Sequence, residues 1–522
     1  MTYHPMSIFY EVLEYMQTLE PPIIDTRFTK IEADVRNLID DELLSHSGTE
    51  SISINIISRS KLSTQNIEAL YAECNKAGLT IQKIYDSHVR AIGSATSMRT
   101  MFGVMLERFV EADTGVVYYG HTSSLIIPAS LYFVSDVMGL SNMPVMRPHF
   151  QVNDIGAVDI DTDQDTASRA LRSYFTPIQI ANLYKMNKAY NGKGQTIAII
   201  ELGGGFNQSD MNTYFRALGI AAPKIISVSV NGATNNPTDP SGASMEVVLD
   251  IQIAGAVANA ATIVVYYAPN SFLGFYNAIY KAVTDTRYRP SIVSISWGAP
   301  EPYWPPSSLT SYNNLFAYAV SRGINIFCAA GDNGSTDGVS DGLSHTDFPA
   351  ASPNVVACGG TTLMSDGLSI LNEVVWFNHP NSSTGGGFSE VFAKPAYQNS
   401  VTSIGTKRGV PDIAGNADPS TGYLIYMNRS FYVVGGTSAV SPLMAGLTAK
   451  LNQMNRKTIG FMNPMLYVRK PCNDITIGSN GAYSSTTGWD NCTGWGTPDG
   501  SKMNTLTSAT SISKLVKKIF NL

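Results

Sequence analysis

Residues 241–268 read SGASMEVVLDIQIAGAVANAATIVVYYA. The long run from Ser241 to Ala260, dominated by Val, Leu, Ile and Ala, predicts a helix, and the short β-rich run that follows, TIVVYYAP (262–269), predicts a strand. The alternation continues in both directions. Before it stand the strand-like QTIAIIEL (195–202) and KIISVSV (224–230); after it come SFLGFYNAIYKAVT (271–284, helical), IVSISWG (292–298), SLTSYNNLFAYAVSRG (308–323, helical), INIFCAAGD (324–332) and NVVACGG (354–360). Short apolar strands separated by longer amphipathic segments predict an α/β fold, a mostly parallel sheet covered by helices on both faces. Ligands of such sheets gather beyond the C-terminal ends of the strands. Glu201, Trp297 and Asp332, each at or just after a predicted strand end, are therefore expected around one crevice.

The 522-residue chain is 44% hydrophobic and 15% charged, the balance of a folded globular protein with ample chain for a large core. Lys and Arg number 35 against 41 Asp and Glu, giving a formal charge of -6, and no basic cluster could neutralise a row of phosphates. Nucleic acid is excluded as an expected partner. No run of 18 apolar residues predicts a membrane span, so no membrane partner is expected, and the opening MTYHPMSIFYEVLEYM lacks the basic start and apolar core of a secretory signal. Five cysteines are too scattered for a disulfide framework or a zinc site and are expected as buried or free thiols, although Cys472 and Cys492 bracket a Gly/Ser/Thr-rich loop that one bridge could close.

Composition shifts near residue 150, with most of the acidic excess before it and Gly, Ala, Ser and Asn dominating beyond about residue 190. Residues 1–150 are expected as a small α+β, ferredoxin-like domain: SISINIISRS (51–60) as a strand, TQNIEALYAECNKAG (64–78) as a helix, TIQKIYDSHVRAIG (80–93) as strand and SMRTMFGVMLERFVEA (97–112) as a second helix. Residues 151–175 begin with QVNDIGAVDIDTDQDTASRA, which carries five aspartates and little apolar periodicity, and read as an exposed, cleavable linker. Residues 176–522 form the second expected domain.

Three segments carry chemistry. GGTSAVSPLMAGL (435–447) leads from glycines through Thr437 to Ser438 and into a helical run, a turn that can present a hydroxyl where free N–H groups favour developing negative charge; an N-cap role for the serine is the plain alternative. A nucleophilic serine needs a base, and the region holds only His345 and His379, neither in a recognisable setting. Glu246 and Asp250, four residues apart, share one face of the predicted apolar helix, where burial and mutual repulsion raise a carboxyl pKa; a surface stripe or helix-terminal acid is the plain alternative. Asp332, in AAGDNGSTDG (329–338), follows a strand; held protonated it could donate to an oxyanion, and the plain alternative is an Asx turn. Asp337, Asp341 and Asp347 follow closely and could form an acidic subsite for a basic substrate residue, or be solvated loop acids.

In order along the chain stand FTPIQIANLY (175–184), TIAIIELGGGF (196–206), SMEVVLDIQI (244–253), IVSISWGAPE (292–301), FCAAGDNGSTDG (327–338), DFPAASPNVVACGGT (347–361), GGGFSEVFAKPAYQ (385–398), RGVPDIAGNADP (408–419), GGTSAVSPLMAGL and GWDNCTGWGTP (488–498). This series resembles the sedolisin (serine-carboxyl peptidase) family, in its kumamolisin-like branch, over the chain from about Tyr174. The first 150 residues, ending with VSDVMGLSNMP (134–144), look like the family's activation prodomain.

The resemblance implies a subtilisin-like fold and an acid-acting serine endopeptidase made as a self-processing zymogen. Ser438 would be the nucleophile, Glu246 the general base, Asp250 the group that orients it and Asp332 the oxyanion-hole acid, with Glu201 and Trp297 extending the hydrogen-bond network behind them. Apart from the resemblance, Asp347 is the member of the acidic trio expected to bind substrate. It further implies one structural Ca2+ held by the side chains of Asp474 and Asp490 and the main-chain carbonyls of Ile475, Thr486 and Gly488, hard oxygen donors suited to that ion. Thr486 departs from the family pattern, which has glycine there, and the loop is shorter. Protein or peptide substrates, the chain's own prodomain as inhibitor, a monomer, and an extracellular or acidic location are the other expectations. The competing expectations are a catalytically silent binding protein on the same scaffold and a Ser-His-Asp hydrolase using His345.

Overall fold

The computed structural model describes residues 17–21, 27–30, 51–112, 114–158 and 173–504. The opening segment 1–16 and the aspartate-rich 159–172 lie outside the described residues. The chain divides into two compact units, Met1–Val145 with Asn270–Leu273 and Pro302–Tyr312, and the remainder from Met146.

In the first unit, β1 (Ile52–Ser58), α1 (Thr64–Ala77), β2 (Thr80–Ile84), β3 (His88–Gly93), α2 (Ala95–Phe102) and β4 (Val134–Met138) follow one another. The sheet order β2-β3-β1-β4, antiparallel throughout, is that of a split β-α-β module. Ser63 starts α1 with a capping box to Asn66, and Gly78, at φ 77°, ends it. The expected second helix is shorter than its periodicity suggested. Gly103 takes the left-handed conformation at φ 68° and stops α2, so Glu107–Glu111 forms a strand instead. The single strand expected over 80–93 is a hairpin. Ile54, Ile56, Leu70, Val89, Met98 and Phe102 form the core of the unit.

The second unit begins with β5 (Arg147–Pro148) and β6 (Gln151–Val158). The start of the expected exposed linker is therefore a paired strand, because its backbone finds partners within this unit, as described below. There follow β7 (Thr196–Glu201), β8 (Lys224–Ser229), α3 (Ala243–Val257), β9 (Thr262–Tyr267), β10 (Ile292–Ile295), β11 (Trp297–Pro300), β12 (Asn325–Ala329), β13 (Asp347–Phe348), β14 (Val356–Ser365), β15 (Ile370–Val375), β16 (Ile413–Asn416), β17 (Ser430–Gly435) and α4 (Val440–Asn455). The main sheet runs β8-β9-β7-β10-β12-β14-β15, with β16 also on β14, and is parallel except for β15. The helices expected over 271–284 and 308–323 are present as Phe272–Thr284 and Pro306–Ser321.

Every residue of α3 is buried, which explains why its sequence lacks an amphipathic stripe. It lies against α4, where Gly446 brings the backbones together: a Cβ there would stand 2.7 Å from Cβ of Val257. Two carboxylic acids, Glu246 and Asp250, are thereby carried into the interior. All five cysteines are buried and free, and Cys472 and Cys492 belong to separate apolar clusters, so no bridge joins them.

Candidate active site

Ser438 sits in a single 3-10 turn, Thr437–Ala439, between β17 and α4. Gly436 enters it at φ 110°, a conformation favourable only to glycine. A Cβ at this position would lie 2.2 Å from the His149 carbonyl oxygen and 2.6 Å from Asp332 Oδ2. The turn is thus open on the one side where both oxygens approach it.

The Ser438 hydroxyl donates to Glu246 Oε2 at 2.9 Å, both groups being fully buried. Glu246 Oε1 is buried without a hydrogen-bond partner, and Asp250 stands one turn further along α3. Both Asp250 oxygens stand 2.9 Å from the Ser296 hydroxyl. Behind them, Trp297 Nε1 donates to Glu201 Oε2 at 2.9 Å. Burial raises all three carboxyls, and repulsion from Asp250 lifts Glu246 and Glu201 further, while the Ser296 hydroxyl on Asp250 and the Ser438 hydroxyl on Glu246 favour a charge within the cluster. Like charges this close in a dry interior are lost one proton at a time, so the cluster holds few charges together.

Asp332, just beyond β12, accepts the Thr437 N–H and Oγ–H on Oδ1, both at 2.8 Å. Its Oδ2 is buried without a partner. Burial raises Asp332 to about 7, against the opposing influence of His149 and the two Thr437 hydrogen bonds. Below that value it is an acid with its proton free for Oδ2, an oxygen that flanks Gly436 beside the His149 carbonyl.

The chain itself occupies the groove. Strand β5 pairs antiparallel with β11, Arg147 opposite Gly298 and Pro148 opposite Trp297, and β6 pairs antiparallel with β17, Gln151 opposite Gly435. Between the two ladders, His149 crosses Ser438. Its N–H donates to the Ser296 carbonyl at 3.1 Å and lies 3.1 Å from Ser438 Oγ, while its carbonyl accepts the Ser438 N–H at 2.9 Å. Its imidazole is buried, with Nε2 3.1 Å from Asp347 Oδ2.

The structure thus brings Ser438, Glu246, Asp250, Asp332, Glu201 and Trp297 together, and Asp347 and Asp337 under His149. Asp341 is elsewhere: it is exposed and holds His345 Nε2 at 3.0 Å, with Glu390 on the other ring nitrogen at 2.5 Å. His345 is thereby committed, and a Ser438–His345 pair is ruled out, since Ser438 bonds Glu246. His149, Ser296 and Thr437 had no role in the sequence reading. Ser296 and Thr437 lie inside the motifs IVSISWG and GGTS, whereas nothing in PVMRPHF marked His149.

The residues expected to hold Ca2+ lie on one C-terminal loop. Asp474 Oδ2 accepts the Gly488 N–H at 2.8 Å, and Asp490 Oδ2 accepts the Thr486 N–H at 3.1 Å, so the two carboxylates bracket segment 486–488. Burial raises Asp490. No cluster of three or more metal-ligating side chains occurs among the described residues, so an ion here would depend on main-chain carbonyls. Two acidic side chains with hard carbonyl donors fit calcium.

The Subtilase family profile matches residues 218–496. Kumamolisin from Bacillus sp. (strain MN-32) is 44% identical over 446 residues, covering 82% of this chain and 80% of its own length. Sedolisin from Pseudomonas sp. (strain 101) is 28% identical over 467 residues, covering 84% and 78%. A solved structure, Pseudomonas sedolisin (serine-carboxyl proteinase) complexed with two molecules of pseudo-iodotyrostatin, has a TM-score of 0.59 at 30% identity, covering 65% of this chain and 98% of that one. With the parallel sheet and its flanking helices, these likenesses make the chain a kumamolisin-like member of the sedolisin family, a serine-carboxyl peptidase on a subtilisin-like fold.

Proposed function

We propose that the chain is an acid-acting serine endopeptidase made as a zymogen, with Ser438, Glu246 and Asp250 as its triad. The observation that carries this reading is the His149–Phe150 peptide lying across Ser438, its carbonyl on the Ser438 N–H and the Ser438 hydroxyl on Glu246.

Glu246 takes the hydroxyl proton as Ser438 Oγ attacks the carbonyl carbon, and Asp250 steadies the resulting acid. The oxyanion receives the Ser438 N–H and the Asp332 proton; two donors aimed at developing charge in a dry site are typically the largest contribution to such a reaction. Glu246 then protonates the leaving amine, and water repeats the cycle on the acyl-enzyme. A histidine base would be idle in acid, whereas a buried carboxyl cluster that has lost one proton still has a base to offer.

On this reading residues 146–158 occupy the groove as a substrate does, which keeps other peptides out until the His149–Phe150 bond is cut and the N-terminal unit leaves. Asp347, beside the His149 imidazole, would receive the basic residue that precedes the cleaved bond. Calcium would be held by Asp474, Ile475, Thr486, Gly488 and Asp490 and would tie the C-terminal loop without entering the reaction. A monomer working outside the cell or in an acidic compartment completes the reading.

The test is a peptidase assay from pH 3 to 8 on denatured protein after preincubation at pH 4 with calcium. Ser438→Ala and Glu246→Gln should abolish activity and His345→Ala should not. Equal loss in His345→Ala and Ser438→Ala, or a neutral optimum, would overturn the carboxyl mechanism.

A further inference from the structure

Ser296 stands where one strand hands over to another. β10 ends at Ile295 inside the parallel sheet and β11 begins at Trp297 along the groove, so Ser296 is the single residue between them, and it is fully buried. Ladders fix its backbone on both sides: Ile295 lies opposite Ile200 and Cys328, and Trp297 opposite Pro148. The carbonyl and the side chain of Ser296 therefore have set directions, and they serve different halves of the site.

The carbonyl is turned to the groove, where it accepts the His149 N–H at 3.1 Å and stands 3.3 Å from Ser438 Oγ. The hydroxyl is turned to the acids of the interior. It lies 2.9 Å from each oxygen of Asp250, with the Ser438 carbonyl further off at 3.4 Å. The neighbouring acids are less well supplied. Ser438 reaches Glu246 Oε2 and Trp297 reaches Glu201 Oε2, while Oε1 of each glutamate is buried without a partner. The Ser438 proton leaves in the reaction, and Trp297 serves the acid behind the pair. Among the described residues, Ser296 is thus the hydroxyl that stays on the Glu246–Asp250 pair through a whole turnover.

The titratable groups that bear on the pair are Glu201 on β7 and Asp332 beyond β12; the Tyr267 phenol on β9 acts on Glu201, and the His149 imidazole on Asp332. Burial and the two acids oppose a negative charge on the pair, and a hydroxyl donating to a carboxylate in dry surroundings favours it. We propose that Ser296 is a positioning residue of the reaction, its hydroxyl holding the negative charge of the Glu246–Asp250 pair while its carbonyl holds the N–H of the residue before the cleaved bond. On the peptidase reading, on which this rests, the pair must carry one charge to accept the Ser438 proton. Removing the donor raises the pH at which the pair first releases a proton, so the base is lost from the acidic end of the range. The acid limb of the rate profile should then move to higher pH, while the alkaline limb, which belongs to Asp332, should stay.

The test is the pH dependence of self-cleavage in the full chain, a single turnover on the peptide already in the groove, followed by intact mass from pH 2 to pH 8. The position of a limb does not depend on how much of a preparation is folded. Ser296→Ala removes one oxygen and keeps the carbonyl, so the hold on the His149 N–H remains. It should move the acid limb up by about one pH unit, with rates about tenfold below native on that limb and the alkaline limb in place. Ser296→Thr, which keeps a hydroxyl on the same carbon, should retain the native acid limb whatever its absolute rate. An unmoved acid limb in Ser296→Ala, a rate lowered by the same factor at every pH, or an equal shift in Ser296→Thr would overturn the proposal while leaving the peptidase reading intact. Absence of self-cleavage by the native chain at every pH would instead remove the reading on which it rests.

Discussion

On the proposed mechanism Asp332 sets the alkaline limit of activity. Burial moves it from the ordinary 3.8 to about 7, so the folded protein keeps this proton at pH values where the unfolded chain has released it. Stability from this residue is therefore present in acid and withdrawn as pH climbs from about 4 to about 7. At about 1.4 kcal/mol per pH unit the loss is about 4 kcal/mol. On the proposed mechanism the same titration governs chemistry. Above about 7 each further unit leaves a tenfold smaller fraction of protonated Asp332, and the oxyanion meets a carboxylate instead of a donor. On the proposed function the chain supplies its own substrate, so the first-order rate of self-cleavage, followed by intact mass from pH 3 to 9, is the assay. The rate should fall tenfold per unit above about pH 7. Asp332→Ala should slow it about 10²–10³-fold at pH 4, the usual consequence of deleting one oxyanion donor. Asp332→Asn should lack the decline assigned to residue 332, whatever its absolute rate. Self-cleavage by Asp332→Ala within threefold of the native rate at pH 4 would refute the role given to this acid.

Other outcomes follow from the same geometry. Gly436→Ala should stop self-cleavage, because a methyl 2.2 Å from the His149 carbonyl oxygen excludes the peptide from Ser438; intact mass at pH 4 checks it, and cleavage at the native rate would contradict it. Asp412 is fully buried with Arg408 on both oxygens, at 2.8 and 2.5 Å, and Arg408→Met should cost about 3–5 kcal/mol by leaving that carboxylate uncompensated, read as a fall in denaturant midpoint. Calcium removal by a chelator should lower Tm in the native protein and leave Tm unchanged in Asp490→Asn, whose loop would already lack a ligand.

The sequence was informative where local pattern and global position agree. Strands β7, β9, β10 and β12 were legible because parallel strands buried on both faces read as unbroken apolar runs, and the crevice holding Glu201, Trp297 and Asp332 followed from their C-terminal ends. Glu246 and Asp250 stood out because carboxylates on an otherwise apolar helix have few innocent explanations. What was not legible depends on chain segments distant in sequence. The Arg147–Val158 region looks exposed and polar by itself; its strands exist because β11 and β17, some 150 and 280 residues away, offer edges to it. Glu107–Glu111 continued a helical periodicity that one left-handed glycine, Gly103, cuts short. Asp337, Asp341 and Asp347 were indistinguishable by spacing, and only the turn at Asp337 and the His345 contact separate the buried pair from the exposed acid.

On the proposed function this chain cuts itself at the peptide held on Ser438. N-terminal sequencing of the fragment first released at pH 4 tests it most directly. A new terminus at Phe150 is expected in the native protein and none in Ser438→Ala; a first cut at another bond, or the same cut in Ser438→Ala, would contradict the proposed function.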